Sequence, residues 1–389
     1  MPRQTAEVLI IGGGVVGSSL AYHLVRRGCR DVTVLEQGAV GSGSSGKAAG
    51  GIRQQFSSEV CVRMSLVSLE AFRRFEAELG VDPGFDPCGY LFLTANEAEM
   101  AAFRRNVAMQ RGLGVDVRIV TPAEMRAIHP WLHVDDLVGG TFCPTDGIAG
   151  PAEVTQAYAR RARALGVRVL EETRVTAIDV ERARVRAVET TGGRFAPGAL
   201  VVAAGAWSGA VGRLLGVEIP VRPLRREIFV SEAILEHPAG TPMVMEPRHG
   251  WYCRREGPGV LMAGGLGRPG SFDTHVDWAN LGHSAELALH RIPRLRDAVF
   301  SRAWAGSLDV TPDGNAILGP IPGLERAYVA AGFSGHGFMH SPATGLVMAE
   351  LILDSPARTL DVTPLGLDRF ARGATVPEAL VTHAHLEEG

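Results

Sequence analysis

Lysine is almost missing from this chain. Lys47 is the one lysine among 39 lysine and arginine residues. So strong an arginine bias reads first as the signature of a GC-rich genome, which leaves open why one lysine stands in a glycine-rich loop. Long apolar runs are missing too; none approaches the ~18–20 residues that cross a bilayer. Cysteine is scarce, with five residues (Cys29, Cys61, Cys88, Cys143, Cys253) and no CxxC pair. Such an odd, unpatterned set points to reduced thiols in a cytoplasm and away from a disulfide framework or a zinc site. There is no basic excess: the formal net charge of −3 argues against nucleic-acid or anionic-membrane partners. The opening residues run straight into structure without a basic region, apolar stretch and cleavage site in succession, so no secretion signal is expected. What remains is a 389-residue chain, 46% hydrophobic with 48 glycines, the composition of a globular enzyme rich in tight turns. That length suits two domains, or one large α/β domain with an elaboration.

The first 36 residues form the clearest unit. Val8–Ile11 reads as a short apolar strand. Val15–Arg27 reads as a helix stopped by Gly28, and Val32–Glu36 as a second strand, giving β-α-β in about 30 residues. Between the first strand and the helix stands Gly12-Gly13-Gly14-Val15-Val16-Gly17, a GxGxxG in its required context. Gly12 permits the tight turn, Gly14 lets backbone approach a pyrophosphate, and Gly17 lets helix and strand pack closely. The helix N-terminus offers unpaired N–H groups to phosphate. Glu36 ends the second strand, where a carboxylate accepts from ribose hydroxyls and repels a 2′-phosphate. The fingerprint by itself leaves NAD and FAD both open.

Further along, helical stretches (59–79, 97–111, 122–128) flank a strand at 90–93, and a helix opens at Pro151. Strands are expected at 167–170, 175–180, 185–190 and 199–203. From 221 to about 265 the alternation is strand-like, followed by a helix near 284–292. The last segment returns to a strand at 328–331, the loop GFSGHGF, and a helix from Pro342 to Leu353. The pattern predicts an α/β protein, α+β overall, with a Rossmann-like nucleotide domain made of 1–80, 145–220 and 300–389. A mixed β-sheet domain, 81–144 and 221–299, is inserted into it.

Three more stretches join the fingerprint in carrying a resemblance: GSGSSGKAAGGIRQQF (41–56), ALVVAAGAWS (199–208), and WAGSLDVTPDGNAILGP with AGFSGHGFMHSPATG (304–345). Together they make the chain similar to the D-amino-acid-oxidase-type flavoprotein superfamily, and within it to the sarcosine oxidase and proline dehydrogenase β-subunit group. The likeness runs from residue 8 to about 354 and is weakest in the inserted sheet. It implies FAD as cofactor. The implied binding set is Gly12, Gly14, Val15, Val16, Gly17, Glu36 and Gln37 at the fingerprint, and Ser44, Ser45, Lys47, Ala48, Gly50 and Gly51 in the loop. Val175, Ala204, Gly205 and Trp207 follow, and then Gly332, Gly335, His336, Gly337, Phe338 and Met339 at the C-terminal flavin site. Glycine-rich backbone lies against a flat ring, and helix-terminal N–H groups stabilise charge that develops on it.

Some relatives tether the flavin through a cysteine near the position of Gly306, others through a histidine at the position of Lys47. Neither residue is present, so non-covalent FAD is expected. The resemblance makes Arg53 the carboxylate anchor, since guanidinium binds carboxylate bidentately. It makes Tyr252 a substrate-wall residue, with Trp251 and Arg254 competing because strand neighbours face opposite ways. His336 and His340 are the remaining catalytic candidates; no metal ligand set is seen. The O2-activating lysine of monomeric sarcosine oxidases corresponds to about Met262, a second lysine to Met339 and a tyrosine to Leu308, so Lys47 is the one lysine ammonium left for that task.

The expected reaction is oxidation of a secondary-amine amino acid (sarcosine, an N-methyl amino acid or proline) by hydride transfer to flavin N5, with O2 reoxidising the flavin to give H2O2. A dehydrogenase β-subunit handing electrons to partner subunits, a glycine or D-amino acid oxidase, and a flavin-retaining assembly factor are the other readings. The expected small-molecule partner is an amino acid carrying a carboxylate.

Overall fold

A computed structural model describes residues 4–234, 236–264 and 267–378. Its first sheet runs in the neighbour order Ile317–Pro320, Ala327–Ala331, Gly193–Val202, Gln4–Ile11, Val32–Leu35 and Arg168–Leu170, with the hairpin Val175–Glu181/Arg184–Thr190 attached to Gly193–Val202. The four strands from Ala327–Ala331 to Val32–Leu35, with Arg168–Leu170 beyond, pair in parallel. Parallel strands are covered on both faces, which is why Val8–Ile11 reads as unbroken apolar sequence. Helices Val15–Arg26 and Gly337–Leu353 bury one face of this sheet, and Ser208–Leu215 and the hairpin bury the other.

Val15–Arg26 begins where Gly14, extended at φ −72° and ψ −178°, ends the turn after the strand. Gly12 sits at φ +117°, and a Cβ there would meet the Ala203 carbonyl oxygen at 2.2 Å. At Gly17 a Cβ would meet the Gly12 oxygen at 2.0 Å. Both positions therefore require glycine for the close approach the fingerprint predicts.

The second sheet, nine strands among the described residues, runs Arg268–Pro269, Arg222–Ser231, Gly259–Ala263, Trp251–Glu256, Met243–Glu246, Tyr90–Thr94, Gly139–Cys143 and Arg118–Val120. Phe300–Val310 pairs with Arg222–Ser231 along almost its whole length, from Arg222↔Val310 to Val230↔Arg302. Residues 300–310, placed with the nucleotide domain in the sequence reading, thus belong to the second sheet. A partner some eighty residues away in sequence sets that membership. One face of this sheet packs under helix Ala279–Arg291.

Two other elements differ from expectation. The helical stretch 59–79 divides into Glu59–Arg73 and Phe75–Leu79 at Arg74. The last helix begins at Gly337 rather than at Pro342, with His336 as its N-cap. Pro342 lies inside it, where a missing N–H leaves the carbonyl four residues back without its helical donor. That carbonyl, of Phe338, accepts from Ser341 Oγ at 2.9 Å instead.

Candidate active site

Between the C-terminal ends of the parallel strands and the open face of the second sheet lies a cavity of about 800 Å³. This is where open α/β sheets place ligands. Two helix N-termini border it, at Gly14–Val16 and Gly337–Met339. In each, the first N–H groups have no intrahelical acceptor. Val15 N–H donates to Ser45 Oγ at 2.9 Å, so the flavin-loop serine already caps one of them. Glu36 accepts from Gly13 N–H at 2.7 Å and Gly38 N–H at 2.9 Å. These bonds fix its carboxylate at the mouth of the glycine turn, with lone pairs left for a diol.

The loop 41–56 lies along the cavity. A short ladder pairs Gly51 with Ile148 and Ile52 with Gly147, and Arg254 Nε donates to the Ala49 carbonyl at 2.8 Å. Trp304 Nε1 donates to the Lys47 carbonyl at 2.9 Å. Ser44 Oγ donates to the Ser307 carbonyl; its hydroxyl ties the loop to the second sheet rather than standing free for phosphate. The Lys47 stem lies over Gly306, where a Cβ would meet Lys47 Cβ at 3.1 Å. The two places at which relatives attach flavin are thus neighbours in space, and burial lowers the Lys47 pKa.

Arg53 is 3% exposed. Its Nη1 donates to the Gln55 carbonyl at 2.6 Å, and its Nη2 lies 2.8 Å from His336 Nε2. Guanidinium can only donate, so that ring nitrogen is the acceptor and the Nδ1 of a neutral ring carries the proton. The guanidinium also stands over Phe56 at 4.1 Å and Phe92 at 5.3 Å from the ring centres, within cation–π range. Arg53, His336 and Tyr252 all line the cavity, with Tyr90, Met243 and Met245 beside them.

Strand alternation separates Trp251 from Tyr252 and Arg254. Tyr252 faces the cavity, while Trp251 is 0% exposed in the core under helix Ala279–Arg291. Arg254 braces the loop from outside the cavity wall. Met262 is buried in that same far core, and Met339 lines the cavity.

Two residues of the expected cofactor set, Gly17 and Gly332, stand off the cavity wall, as does His340 among the catalytic candidates. Gly17 serves packing, as above. Gly332 sits at φ +75° and a Cβ would meet Thr311 Cγ2 at 2.4 Å, so it shapes the loop from behind. His340 is one helical turn below His336, bonded to Ser65 Oγ at 2.9 Å, with burial pushing its pKa down to about 3. A neutral, enclosed imidazole packed on Phe56 is a support for the site and not a group that meets substrate.

Two residues were missed in the sequence. Asp309 lines the cavity and accepts from Gly332 N–H at 2.8 Å and Phe333 N–H at 3.1 Å, holding the SGHG loop; burial pushes it up to about 6. Arg226 also lines the cavity, and burial lowers its pKa. Its signal was legible: it interrupts the otherwise apolar alternate positions Leu224, Ile228 and Val230 of one strand.

The donor set therefore suits a dinucleotide carrying a flat ring: two helix N-termini for phosphate and ring edge, a fixed carboxylate for ribose, and glycine backbone between. The chain is 34% identical to a solved structure of L-proline dehydrogenase from P. horikoshii, at a TM-score of 0.89, covering 96% of this chain and 99% of that one. Glycine oxidase of Geobacillus kaustophilus is 31% identical over 370 residues, 93% of this chain and 97% of that protein. Mitochondrial sarcosine dehydrogenase of Homo sapiens is 30% identical over 90% of this chain, which spans 40% of that longer protein. Residues 7–351 match the family described as DAO, FAD dependent oxidoreductase. A glycine turn of the kind that receives a dinucleotide, a second sheet closing over it and these likenesses have one reading: the chain belongs to the DAO family of FAD dependent oxidoreductases, and FAD is its cofactor.

Proposed function

We propose that the chain oxidises the C–N bond of an amino acid carrying a secondary amine, sarcosine or proline being the nearest examples. The observation that carries this reading is Arg53, a buried guanidinium at the cavity wall whose donors are only partly engaged. Two of its five N–H groups are committed, to Gln55 and His336, and the rest can hold a carboxylate. The named activities of the three relatives above are all amino acid oxidations, and proline and sarcosine are secondary amines.

FAD, when bound, accepts the hydride. The chain's own contribution is placement. Arg53 fixes the carboxylate end, and Tyr252, Tyr90 and the methionines Met243 and Met245 exclude water around the reacting carbon. His336 Nε2 is occupied by Arg53, so it orients the anchor and takes no proton from substrate. Positioning of a neutral amine suffices for this chemistry, with no nucleophile. FAD is held without a covalent bond, since Lys47 and Gly306 occupy the two places of attachment.

A second reading, electron transfer to a partner protein instead of O2, rests on Met262, which stands in the far-side core at about the place where monomeric sarcosine oxidases carry their O2-activating lysine. Anaerobic titration of the purified holoprotein with sarcosine, proline and glycine tests the first claim. The flavin absorbance bleaches with at least one secondary amine, and acid precipitation leaves the flavin in the supernatant. Bleaching by glycine alone overturns the substrate class. Peroxide formed on readmitting air then separates the oxidase from the dehydrogenase.

A further inference from the structure

The cavity is unevenly charged. Among the described residues its lining holds two carboxylates, Glu36 and Asp309, and both are taken up by backbone N–H groups. Against them stand Arg53 at one end of the second sheet and Arg226 towards the other.

The sheet order fixes that separation. Arg53 stands over Phe92 on strand Tyr90–Thr94. Arg226 lies on Arg222–Ser231, four strands away across Met243–Glu246, Trp251–Glu256 and Gly259–Ala263. At about 4.8 Å per strand the backbones are roughly 19 Å apart. The Arg53 guanidinium already stands at the first of these strands, and Arg226 lines the same cavity, so the Arg226 side chain alone bridges part of that gap and leaves the length of an extended molecule. Tyr252 lies between them: its hydroxyl feels the charge of Arg226, and the hydroxyl of Tyr90 feels both Arg53 and Tyr252.

Arg226 also has a cationic neighbour. It is paired directly opposite Gly306, and opposed residues of an antiparallel pair project from the same face. The space above Gly306 holds the Lys47 stem, with Lys47 Cδ 3.5 Å from where a Cβ would stand. The one lysine and Arg226 therefore share a patch of wall on either side of Gly306, whose missing side chain makes room for the Lys47 stem. The charge of the neighbouring glutamate on the same strand also acts on Arg226. Glu227 points to the opposite face, where Arg225 meets it at 3.0 Å and also meets Asp273 at 3.0 Å.

We propose that Arg226, with Lys47 beside it, forms a second anion subsite, and that the substrate is an amino acid carrying a second carboxylate on its side chain or on its N-substituent. This rests on the reading above that Arg53 anchors the first carboxylate. The two anchors hold the molecule at both ends, so the amine-bearing carbon is located along the sheet as well as across it.

Thioether acids test this without turnover, because sulfur in place of the amine cannot be oxidised by hydride loss. Methylthioacetate carries one carboxylate; thiodiacetate and its homologues with one or two more methylenes in the second arm carry two. Binding to the FAD-loaded protein is read by perturbation of the flavin spectrum. At least one dicarboxylic thioether binds about tenfold or more tightly than methylthioacetate, the worth of one charge-assisted contact. That ratio collapses in Arg226→Gln and is largely kept in Arg226→Lys, while methylthioacetate binding reports that each variant is folded. Equal affinity for one and two carboxylates, or a ratio unmoved by Arg226→Gln, overturns the second subsite and leaves the Arg53 reading standing. Failure of every thioether acid to bind removes the Arg53 reading, and the second subsite with it.

Discussion

Arg53 shows how much one side chain is committed before any substrate arrives. Its guanidinium is stacked on Phe56 and bonded to the Gln55 carbonyl and His336, which fixes the plane in which a carboxylate can dock. Lysine at this position keeps the charge but loses the fork and the stacking. Arg53→Lys is therefore expected to weaken methylthioacetate binding by about tenfold or more. Unchanged affinity in a flavin titration removes Arg53 as the anchor. Arg53 was legible because its loop is a recognisable string. His340 was not: whether it faced substrate depended on how deep it lies along a helix whose start was misplaced. The structure puts that start five residues earlier, which leaves His336 at the cavity end of the helix and His340, one turn further along the same face, in the core. Arg226 left a trace as a charge on an apolar strand face, but reading it required knowing which face the cavity takes.

The two helices that border the cavity cross each other, and their crossing decides where their N-termini point. At Gly345 a Cβ would meet Ser19 Oγ at 2.2 Å and the Ser19 carbonyl carbon at 2.7 Å. The second contact is with backbone, so no rotamer change relieves it. Gly345→Ala must push Gly337–Leu353 away from Val15–Arg26, at a cost of roughly 1–3 kcal/mol for an overpacked core. Both helix ends then shift relative to each other, Gly14–Val16 against Gly337–Met339. The expected outcome is a lower melting temperature together with weaker FAD retention, measured by thermal melting and by flavin release on dilution. A variant with wild-type melting and retention would show that the crossing has slack. The β-α-β half of this arrangement could be read directly, because GxGxxG states its geometry locally. The Gly337–Leu353 half was misread because proline usually opens a helix. Here the Ser341 hydroxyl satisfies the Phe338 carbonyl, and the proline is carried in the interior.

At the scale of the whole molecule, the two sheets are joined by buried polar ties that local sequence patterns do not reveal. Arg369, 0% exposed, binds both oxygens of Asp313 at 2.8 Å and so pins the C-terminal segment beneath the turn that leads into the cavity. Glu378 reaches Ser57 Oγ at 2.7 Å, beside the loop that carries Arg53. Asp146 is the central tie. It accepts from Gln54 N–H at 2.8 Å, Gln54 Nε2 at 2.9 Å and Gln55 Nε2 at 3.0 Å, and Gln55 Nε2 also reaches the Tyr90 carbonyl of the second sheet at 3.0 Å. Full burial nevertheless outweighs these donors and pushes the carboxyl up to about 6. The sign of the linkage follows. Between about pH 4 and 6 the folded chain holds a proton that the unfolded chain has released. Stability from this group is therefore greatest below pH 4, falls as pH rises through that window, and is flat above it. A shift of about two units corresponds to about 3 kcal/mol at most. Asp146→Asn removes the titration while keeping the shape, so the stability of wild type relative to the variant should decline from pH 4 to 6 and then level off. Denaturant unfolding of both proteins at intervals across pH 4–7 measures that difference. Parallel curves would mean that Asp146 is charged throughout and that its three donors, not its burial, set its state.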